Sequence, residues 1–415
     1  MASIYRVHRE KALLKMMKDR VCCLIVGVLP GSLTNFRGSL IKAIIEKGVK
    51  VCTAANGRDA SIETKVLEMG AEYYPIHIKR AGVNPLADLV TILDLINLMR
   101  RIKPDIVLTY TIKPIIYGGL AARLCGVKNI FSMIEGLGYI FMPYQSLSHV
   151  LSSTVARWLY RIGLLSSKRV FLLNPDDLNQ FVRERYISGE KAILLNGIGV
   201  DLQYYAREEL PKLSCIRFLM VSRLLKDKGV REYVEAARMV RTSYQNVEFV
   251  LAGDLDDNPN SIKQDELDSW QEGGIINYAG YISDVRPLLR DCHVYVLPSF
   301  YREGIPRTVL EAMSVGRAII TTDAPGCRET IKKALAEVLP ETEEVRNLRV
   351  GLNGIMVPVK NVESLATAML FFLKHTDQIA IMGNESRCYV EERYNIREVN
   401  AVILHEMGIK NYNNV

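Results

Sequence analysis

The chain has no C-x-x-C pair, and none of its six histidines stands at metal-ligand spacing from another. Its eight cysteines, at 22, 23, 52, 125, 215, 292, 327 and 388, fall partly inside apolar runs such as Val21–Val26. That pattern fits buried thiols in a reducing compartment better than a disulfide frame or a zinc site. No apolar run reaches the roughly 18–20 residues of a membrane span. Met1–Arg20 is basic and lacks the apolar core of a secretory signal, so a cytoplasmic protein is expected. With 15 Pro and 28 Gly in 415 residues and no sustained heptad, disorder, collagen and coiled coil are excluded. Charge of one sign is also scarce: 53 Lys and Arg against 46 Asp and Glu leave +7. A nucleic-acid protein carries a denser basic stripe, so the balance favours an anionic small ligand or an acidic membrane surface over nucleic acid. Apolar residues are abundant, at 49%, and the length suits two or three domains with real cores.

Short apolar runs alternate with helical periodicity from the start. Val21–Val28 reads as a buried strand, followed by the turn Pro30–Gly31 and a helix over about Phe36–Lys47 that Gly48 ends. Val49–Ala54, Ile106–Tyr110 and Asn129–Ile134 read as further strands. A long helix opens at Asn84–Pro85 and runs to Arg101. The same grammar restarts with strands at Ile216–Val221, Val247–Ala252, Ile275–Tyr278, Val294–Leu297 and Ala318–Thr321. Helices over Val230–Tyr244, Ser283–Asp291 and Arg307–Val315 lie between and after them. Tyr205–Leu213 is polar and separates the two series. The expected fold class is therefore α/β, with two doubly wound, Rossmann-like domains facing across a cleft.

In open parallel sheets ligands bind beyond the carboxyl ends of the strands. The loops to read are Gly31–Asn35, Tyr110–Pro114, Glu135–Gly138, Ser222–Lys228, Gly253–Asn258 and Ser299–Pro306. In the last, Pro306 suits a first helical position and Gly304 lets the backbone approach a ligand. Amides near Ile305–Thr308 would point at an anion at the helix N-terminus. Glu303 and Glu311 can each accept paired hydrogen bonds from vicinal hydroxyls, as sugar rings present. The pair alone is weak, since such a spacing arises by chance about one time in fifteen. Arg223 and Lys228 could grip one diphosphate, although a solvated turn accounts for them equally in isolation. The loop is not a Walker loop. Asp254–Leu255–Asp256 contains a D-x-D spacing in what reads as an ordinary strand-end loop, and no metal site is expected there.

Taken in order, these residues resemble the retaining, nucleotide-sugar-dependent group 1 glycosyltransferases of GT-B fold. The run Glu303–Gly304–Ile305–Pro306–Arg307–Thr308–Val309–Leu310–Glu311 looks like the family's E-x7-E element. Val221–Ser222–Arg223 with Lys228–Gly229, Asn196–Asp201, Asn353–Pro358 and Arg387–Tyr394 also match. The resemblance implies that Arg223 and Lys228 hold the donor diphosphate and neutralise the leaving group. It implies that Glu303 binds the donor sugar, Glu311 the ribose, and Gly304, Ile305, Pro306, Thr308 and Gly31 the rest of the donor, with no cofactor and no metal. In the N-terminal half, Asn84–Asp88, Lys103–Val107, Tyr110–Pro114 and Glu135–Tyr139 are similar to the branch that extends lipid-diphosphate-linked sugars. Lys113, Glu135, Gly136 and Gly138 would line the acceptor side. One departure stands out: many group 1 enzymes carry a His in the acceptor-side loop, where this chain reads Glu135–Gly136–Leu137–Gly138, so no catalytic His is named.

The expected organisation is an acceptor domain over 1–204, a linker over 205–213 and a nucleotide-sugar domain over 214–394. A C-terminal helix at about 395–415 rejoins the first domain. The expected activity moves a hexosyl or N-acetylhexosaminyl group from a UDP-sugar to a lipid-linked saccharide in surface polysaccharide assembly. The expected place is peripheral, on the inner face of the cytoplasmic membrane. Two stretches would meet an anionic surface: Met1–Arg20, with six basic residues to two acidic, and Leu151–Phe171, with Trp158, Tyr160, Leu164 and Leu165 beside Arg157, Arg161, Lys168 and Arg169. Ordinary surface helices would look the same. A nucleotide-sugar epimerase of this fold and a catalytically silent nucleotide-sugar-binding subunit are the rival functions.

Overall fold

The structure, a computed structural model, describes residues 21–79, 84–137, 147–256, 258, 260–333 and 348–412, with backbone alone at 147–152. Met1–Arg20, Gly138 and Asp257 lie outside these residues. The first domain is built from β1 (Cys22–Val26), α1 (Pro30–Asn35), α2 (Gly38–Glu46), β2 (Lys50–Asn56), α3 (Ala60–Glu68), β3 (Glu72–Ile76) and α4 (Pro85–Ile102). It continues through β4 (Ile106–Tyr110), α5 (Gly119–Leu124), β5 (Asn129–Ile134), α6 (Leu147–Leu165), β6 (Arg169–Leu172), α7 (Pro175–Arg183) and β7 (Ala192–Leu194). Its seven strands lie in the order β3-β2-β1-β4-β5-β6-β7, all parallel. A parallel sheet covered on both faces needs strands apolar throughout, and every residue of β1 and β4 is buried.

Several helices start where a side chain satisfies the free amides. Asp59 accepts from Ser61 N and Ile62 N ahead of α3, and Asn84 accepts from Ala87 N ahead of α4, whose first residue is Pro85. The helix read over about Phe36–Lys47 is α2, Gly38–Glu46, and the segment read as the turn Pro30–Gly31 opens a further short helix, α1. Pro30 starts α1 at once, and the chain turns at Phe36–Arg37 before α2. Gly31 consequently sits in a helical first turn, not in a strand-end loop.

The second domain contains β8 (Ile216–Val221), α8 (Val230–Arg241), β9 (Val247–Ala252), α9 (Gln264–Glu272), β10 (Asn277–Tyr278), α10 (Arg286–Asp291), β11 (Val294–Leu297) and α11 (Arg307–Val315). β12 (Ala318–Thr322), β13 (Arg349–Val350), β14 (Gly354–Val357), α12 (Val362–Lys374) and α13 (Thr376–Arg393) complete it. The strand order β10-β9-β8-β11-β12-β14-β13 repeats the first domain's logic, with β13 antiparallel at the edge. Each sheet reverses direction of winding beside its first strand, between β1 and β4 and between β8 and β11. Ligand crevices open at such points.

The last helix, α14 (Ile396–Glu406), returns to the first domain. Val399, Ile403, Leu404 and Met407 are buried in one core with Leu40, Ile41 and Ile44 of α2, and Asn400 donates to Ser39 Oγ at 3.0 Å. The outgoing and returning chains run side by side, joined by Val200 N to Tyr394 O (2.8 Å) and Ile396 N to Val200 O (3.1 Å). Among the described residues no helix is long and apolar enough to cross a membrane.

Candidate active site

The second domain contributes two loops from its switch point, one after β8 and one after β11. They are stitched together by the carbonyl of Asp227, which accepts from Phe300 N and Tyr301 N at 3.0 Å each and from Ser299 Oγ at 3.3 Å. This stitching brings Lys228 Nζ into an ion pair with Glu303 Oε1, to which Ser299 Oγ also donates at 3.0 Å. The ammonium lies 4.9 Å from the ring centre of Tyr301, and the two paired side chains are only 13% and 12% exposed. Arg223 donates from Nη1 to Asp256 Oδ2 at 3.0 Å and is more open than Lys228. Asp256, the second acid of the D-x-D spacing, is thus engaged by a guanidinium. Among the described residues no group of three His, Cys, Asp or Glu side chains is placed to hold a metal. The Asp227 carboxyl is raised above its usual range by burial, and its Oδ1 has no hydrogen-bond partner.

Pro306 is the N-cap of α11, one position earlier than its spacing suggests, so the helix begins at Arg307. The amides of Arg307 and Thr308 therefore belong to the first turn, which lacks intrahelical partners and carries the positive end of the dipole. The Thr308 side chain bonds the buried Tyr295, and Ile305 packs against Gly197. The two glutamates of the E-x7-E spacing separate in role. Glu303 stands with Lys228, whereas Glu311 is buried, pairs with Arg307 Nε at 2.8 Å and bonds Tyr205. Burial raises the Glu311 carboxyl, with Arg307 opposing that shift.

On the first domain's side, Tyr110 ends β4, with its hydroxyl 2.7 Å from Ser32 Oγ. Arg37, 2% exposed, stacks over its ring at 4.7 Å and forms an ion pair with Glu135. Lys113 donates to Asp88 at 2.9 Å, so two segments singled out separately in the sequence meet here. Between them Thr111 has φ 65°, a strained setting for a β-branched residue. Among the described residues nothing lies within 4 Å of where a side chain on Gly31 would begin. Gly138 falls outside the described residues.

The two halves touch through backbone. Gly136 has φ 130°, and a Cβ on it would meet Arg302 O and Gly304 N at 2.8 Å each. On Gly304 a Cβ would crowd the Glu135 carbonyl and Leu173. The missing side chain of Gly304 makes room for the backbone of the opposite domain. Around this contact Asn174, fully buried, donates from Nδ2 to Glu303 O (2.9 Å), Gly304 O (3.0 Å) and Asp177 Oδ2 (3.0 Å). Arg302 donates to Asp177 Oδ1 (2.9 Å) and Gln180 Oε1 (2.7 Å). Burial pushes the Asp177 carboxyl up to about 6 against the pull of Arg302. Arg328 reaches Asp176 at 3.0 Å, and Arg307 donates to Asn35 O while lying over Phe36.

Sequence reading did not single out Arg37, Asn174, Asp177, Tyr205 or Arg302 as site residues. Asn174–Pro175–Asp176–Asp177 signals only a helix start; that it also faces the Glu303 loop, 129 residues away, depends on domain packing.

Two known protein families match the chain: residues 34–169 match "Glycosyl transferase 4-like" and residues 215–375 match "Glycosyl transferases group 1". The chain is 28% identical to the N,N'-diacetylbacillosaminyl-diphospho-undecaprenol alpha-1,3-N-acetylgalactosaminyltransferase of Campylobacter jejuni, over 76% of this chain and 84% of that protein. It is 26% identical to the UDP-Gal:alpha-D-GlcNAc-diphosphoundecaprenol alpha-1,3-galactosyltransferase of Escherichia coli, over 64% and 69%. Among solved structures, the Anabaena protein Alr3699/HepE with UDP-glucose superposes with TM-score 0.70 at 15% identity, over 94% of this chain and all of that one. A glycosyltransferase from Rickettsia africae superposes equally well at 18% identity, over 94% and 99%. These likenesses carry the GT-B fold.

Proposed function

The chain belongs to the group 1 glycosyltransferases of GT-B fold, and from that premise we propose the reaction it performs. It transfers a hexosyl or N-acetylhexosaminyl group from a UDP-sugar, with retention at the anomeric carbon, to a saccharide carried on a lipid diphosphate. The observation that carries the reading is the pairing of Lys228 with Glu303 just ahead of the first turn of α11, with Arg223 in the same loop as Lys228, at the switch point of the second sheet. Bond cleavage builds negative charge on the departing diphosphate and positive charge on the sugar ring. Lys228 and Arg223 stabilise the first, and the Glu303 carboxylate holds the sugar's hydroxyls as the second develops. Glu311, fixed by Arg307 and Tyr205, orients the ribose. Arg37, Glu135 and Lys113 present the acceptor from the opposite side. With two cations at the leaving group the reaction needs no metal, so EDTA leaves the rate unchanged.

The acceptor class follows from the relatives, whose names specify undecaprenol-linked substrates. Retention is supported by the Escherichia coli relative, whose name joins a UDP-Gal donor to an alpha-1,3 linkage, since the phosphate of UDP-galactose is itself α. A bilayer-held acceptor calls for a face that meets anionic lipid, and the helical layer α4–α6 supplies one. Leu86 (77% exposed), Leu89, Val90 and Leu93 form a stripe on α4, and Trp158 (61% exposed), Val155 and Leu165 one on α6. Arg100, Arg101, Arg123, Arg161 and Lys168 are exposed on the same layer. In α6, Tyr160 and Leu164 do not share this role, because both are buried against the sheet.

The test is UDP release from a panel of UDP-sugars with and without washed bacterial membranes. Membrane-dependent release from one donor, lowered about 10²–10³-fold in Lys228→Ala, is the expected result. New sugar isomers without acceptor would instead mark an epimerase, and full turnover by a folded Lys228→Ala would remove the assigned leaving-group role.

A further inference from the structure

We propose that Asn174, Asp177 and Arg302 are positioning residues for Glu303, forming an interdomain latch that sets where its carboxylate stands. The inference rests on the glycosyl-transfer reading and adds to it a part the first domain plays in holding the donor.

The Glu303 loop is pinned on both sides of the glutamate. The residue before it, Arg302, directs both terminal nitrogens of its guanidinium at α7, Nη2 to Asp177 and Nη1 to Gln180. The carbonyls of Glu303 itself and of Gly304 both accept from Asn174. Gly136 leaves no space behind the loop, and Gly304 and Glu303 also abut Gly326. Asn174 does double duty, since its Oδ1 accepts from Asp177 N at 2.8 Å and so caps α7 while its Nδ2 holds the other domain. With the main chain fixed on either side, Glu303 Oε1 is left facing Lys228 and Ser299.

A buried ion pair such as Arg302–Asp177 is a poor source of stability, because desolvation offsets most of its attraction. What it confers is direction: a guanidinium fork fits one arrangement of acceptors. Asp177 faces Arg302 and Asn174, which favour its ionised form, while the neighbouring Asp176 disfavours it. Asp176 is itself held by Arg328, and the buried Tyr160 senses both Asp177 and Glu135. Protonating Asp177 removes the charge that orients Arg302, so the latch loosens on the acid side of neutrality.

The experiment uses the full chain as wild type, Asp177→Asn and Asn174→Ala, with two readouts. Hydrogen exchange at the amides of 299–305 is expected to quicken at least about tenfold in both variants. With the donor found in the release screen, kcat is expected to fall about 10–100-fold, while the Kd for UDP, whose contacts lie on the second domain, stays within about twofold. The wild-type kcat is expected to fall below about pH 6, where Asp177 takes up its proton, and Asp177→Asn to lack that limb. A residue that merely stabilised the fold would leave both the pH limb and the kcat-to-Kd split untouched. Unchanged exchange, or a kcat within twofold of wild type, overturns the latch. If Asp177→Asn does not fold, Arg302→Lys carries the same two readouts. A wild type inactive on every donor sinks the transfer reading and leaves the latch to be decided by exchange.

Discussion

Replacing Gly304 by alanine adds one carbon at the point where the domains meet. That carbon lies 2.8 Å from Leu173 Cδ1 and 2.9 Å from the carbonyl carbon of Glu135. Carbon atoms rest about 3.5–4.0 Å apart, so the overlap is about 0.6–1.2 Å. Leu173 can rotate, but the Glu135 backbone cannot, because Gly136 is itself wedged against the Glu303 loop. The strain is relieved by parting the domains locally by about 1 Å. Overpacking of this size costs about 1–3 kcal/mol, which lowers the thermal midpoint by about 2–12 °C. A 1 Å misplacement of a positioning group costs about 10²-fold in rate. Gly304→Ala is therefore expected to lower kcat while the second domain stays folded. Gly31→Ala is the matched control: among the described residues the added carbon meets nothing within 4 Å, and it sits in the helix α1. Alanine gains about 0.5–1 kcal/mol there, and only the donor KM would rise if a phosphate approaches that turn. Steady-state kinetics and scanning calorimetry on both proteins decide it. A Gly304→Ala enzyme with wild-type kcat and an undisplaced midpoint refutes the reasoning.

Two other outcomes are expected. The Asp177 carboxyl titrates at about 6 in the folded chain and 3.8 unfolded, so between these values the native state holds the extra proton. Its contribution to stability declines as pH rises through that window, by about 3 kcal/mol in total. Urea unfolding of wild type and Asp177→Asn at pH 4, 5, 6 and 7 should show the wild type losing that much relative to the variant; a flat or opposite difference removes the assignment. Trp158→Ala combined with Leu89→Ser should release the protein from sedimenting anionic vesicles by at least about fivefold at low salt. Unchanged co-sedimentation would move the contact elsewhere.

The strands at the centre of both sheets are legible because parallel strands buried on two faces become unbroken apolar runs between turn signals. Ile106–Tyr110, Asn129–Ile134, Ile216–Val221, Val247–Ala252 and Val294–Leu297 fall where those runs fall. The edge strand β13 has two residues and leaves no such run. The short α1 is hidden for another reason: Pro30–Gly31–Ser32 has turn composition, yet Pro at a first helical position is equally at home. In the site, Arg223, Lys228, Glu303 and Glu311 stand out because each lies in a strand-end loop or the helix after it. Their partners do not. Arg37 meets Glu135 across 98 residues and Arg302 meets Asp177 across 125, separations at which a single sequence has no periodicity to show. Tyr205 heads the polar segment read as linker, and nothing in that segment's composition shows that its hydroxyl bonds Glu311.

The return of α14 to the first domain bears on the order in which this protein is made. Its first domain is translated before the second, but the apolar side of α2 that Val399, Ile403, Leu404 and Met407 cover stays bare until those residues, beyond the whole second domain, have been made. Roughly 200 residues intervene, about 10–40 s of synthesis at 5–20 residues per second. For that interval the nascent chain carries a sticky surface that the second domain, already able to close its own core, does nothing to hide. The domain begun first is finished last, and it is the one that chaperones at the ribosome would be called on to shield.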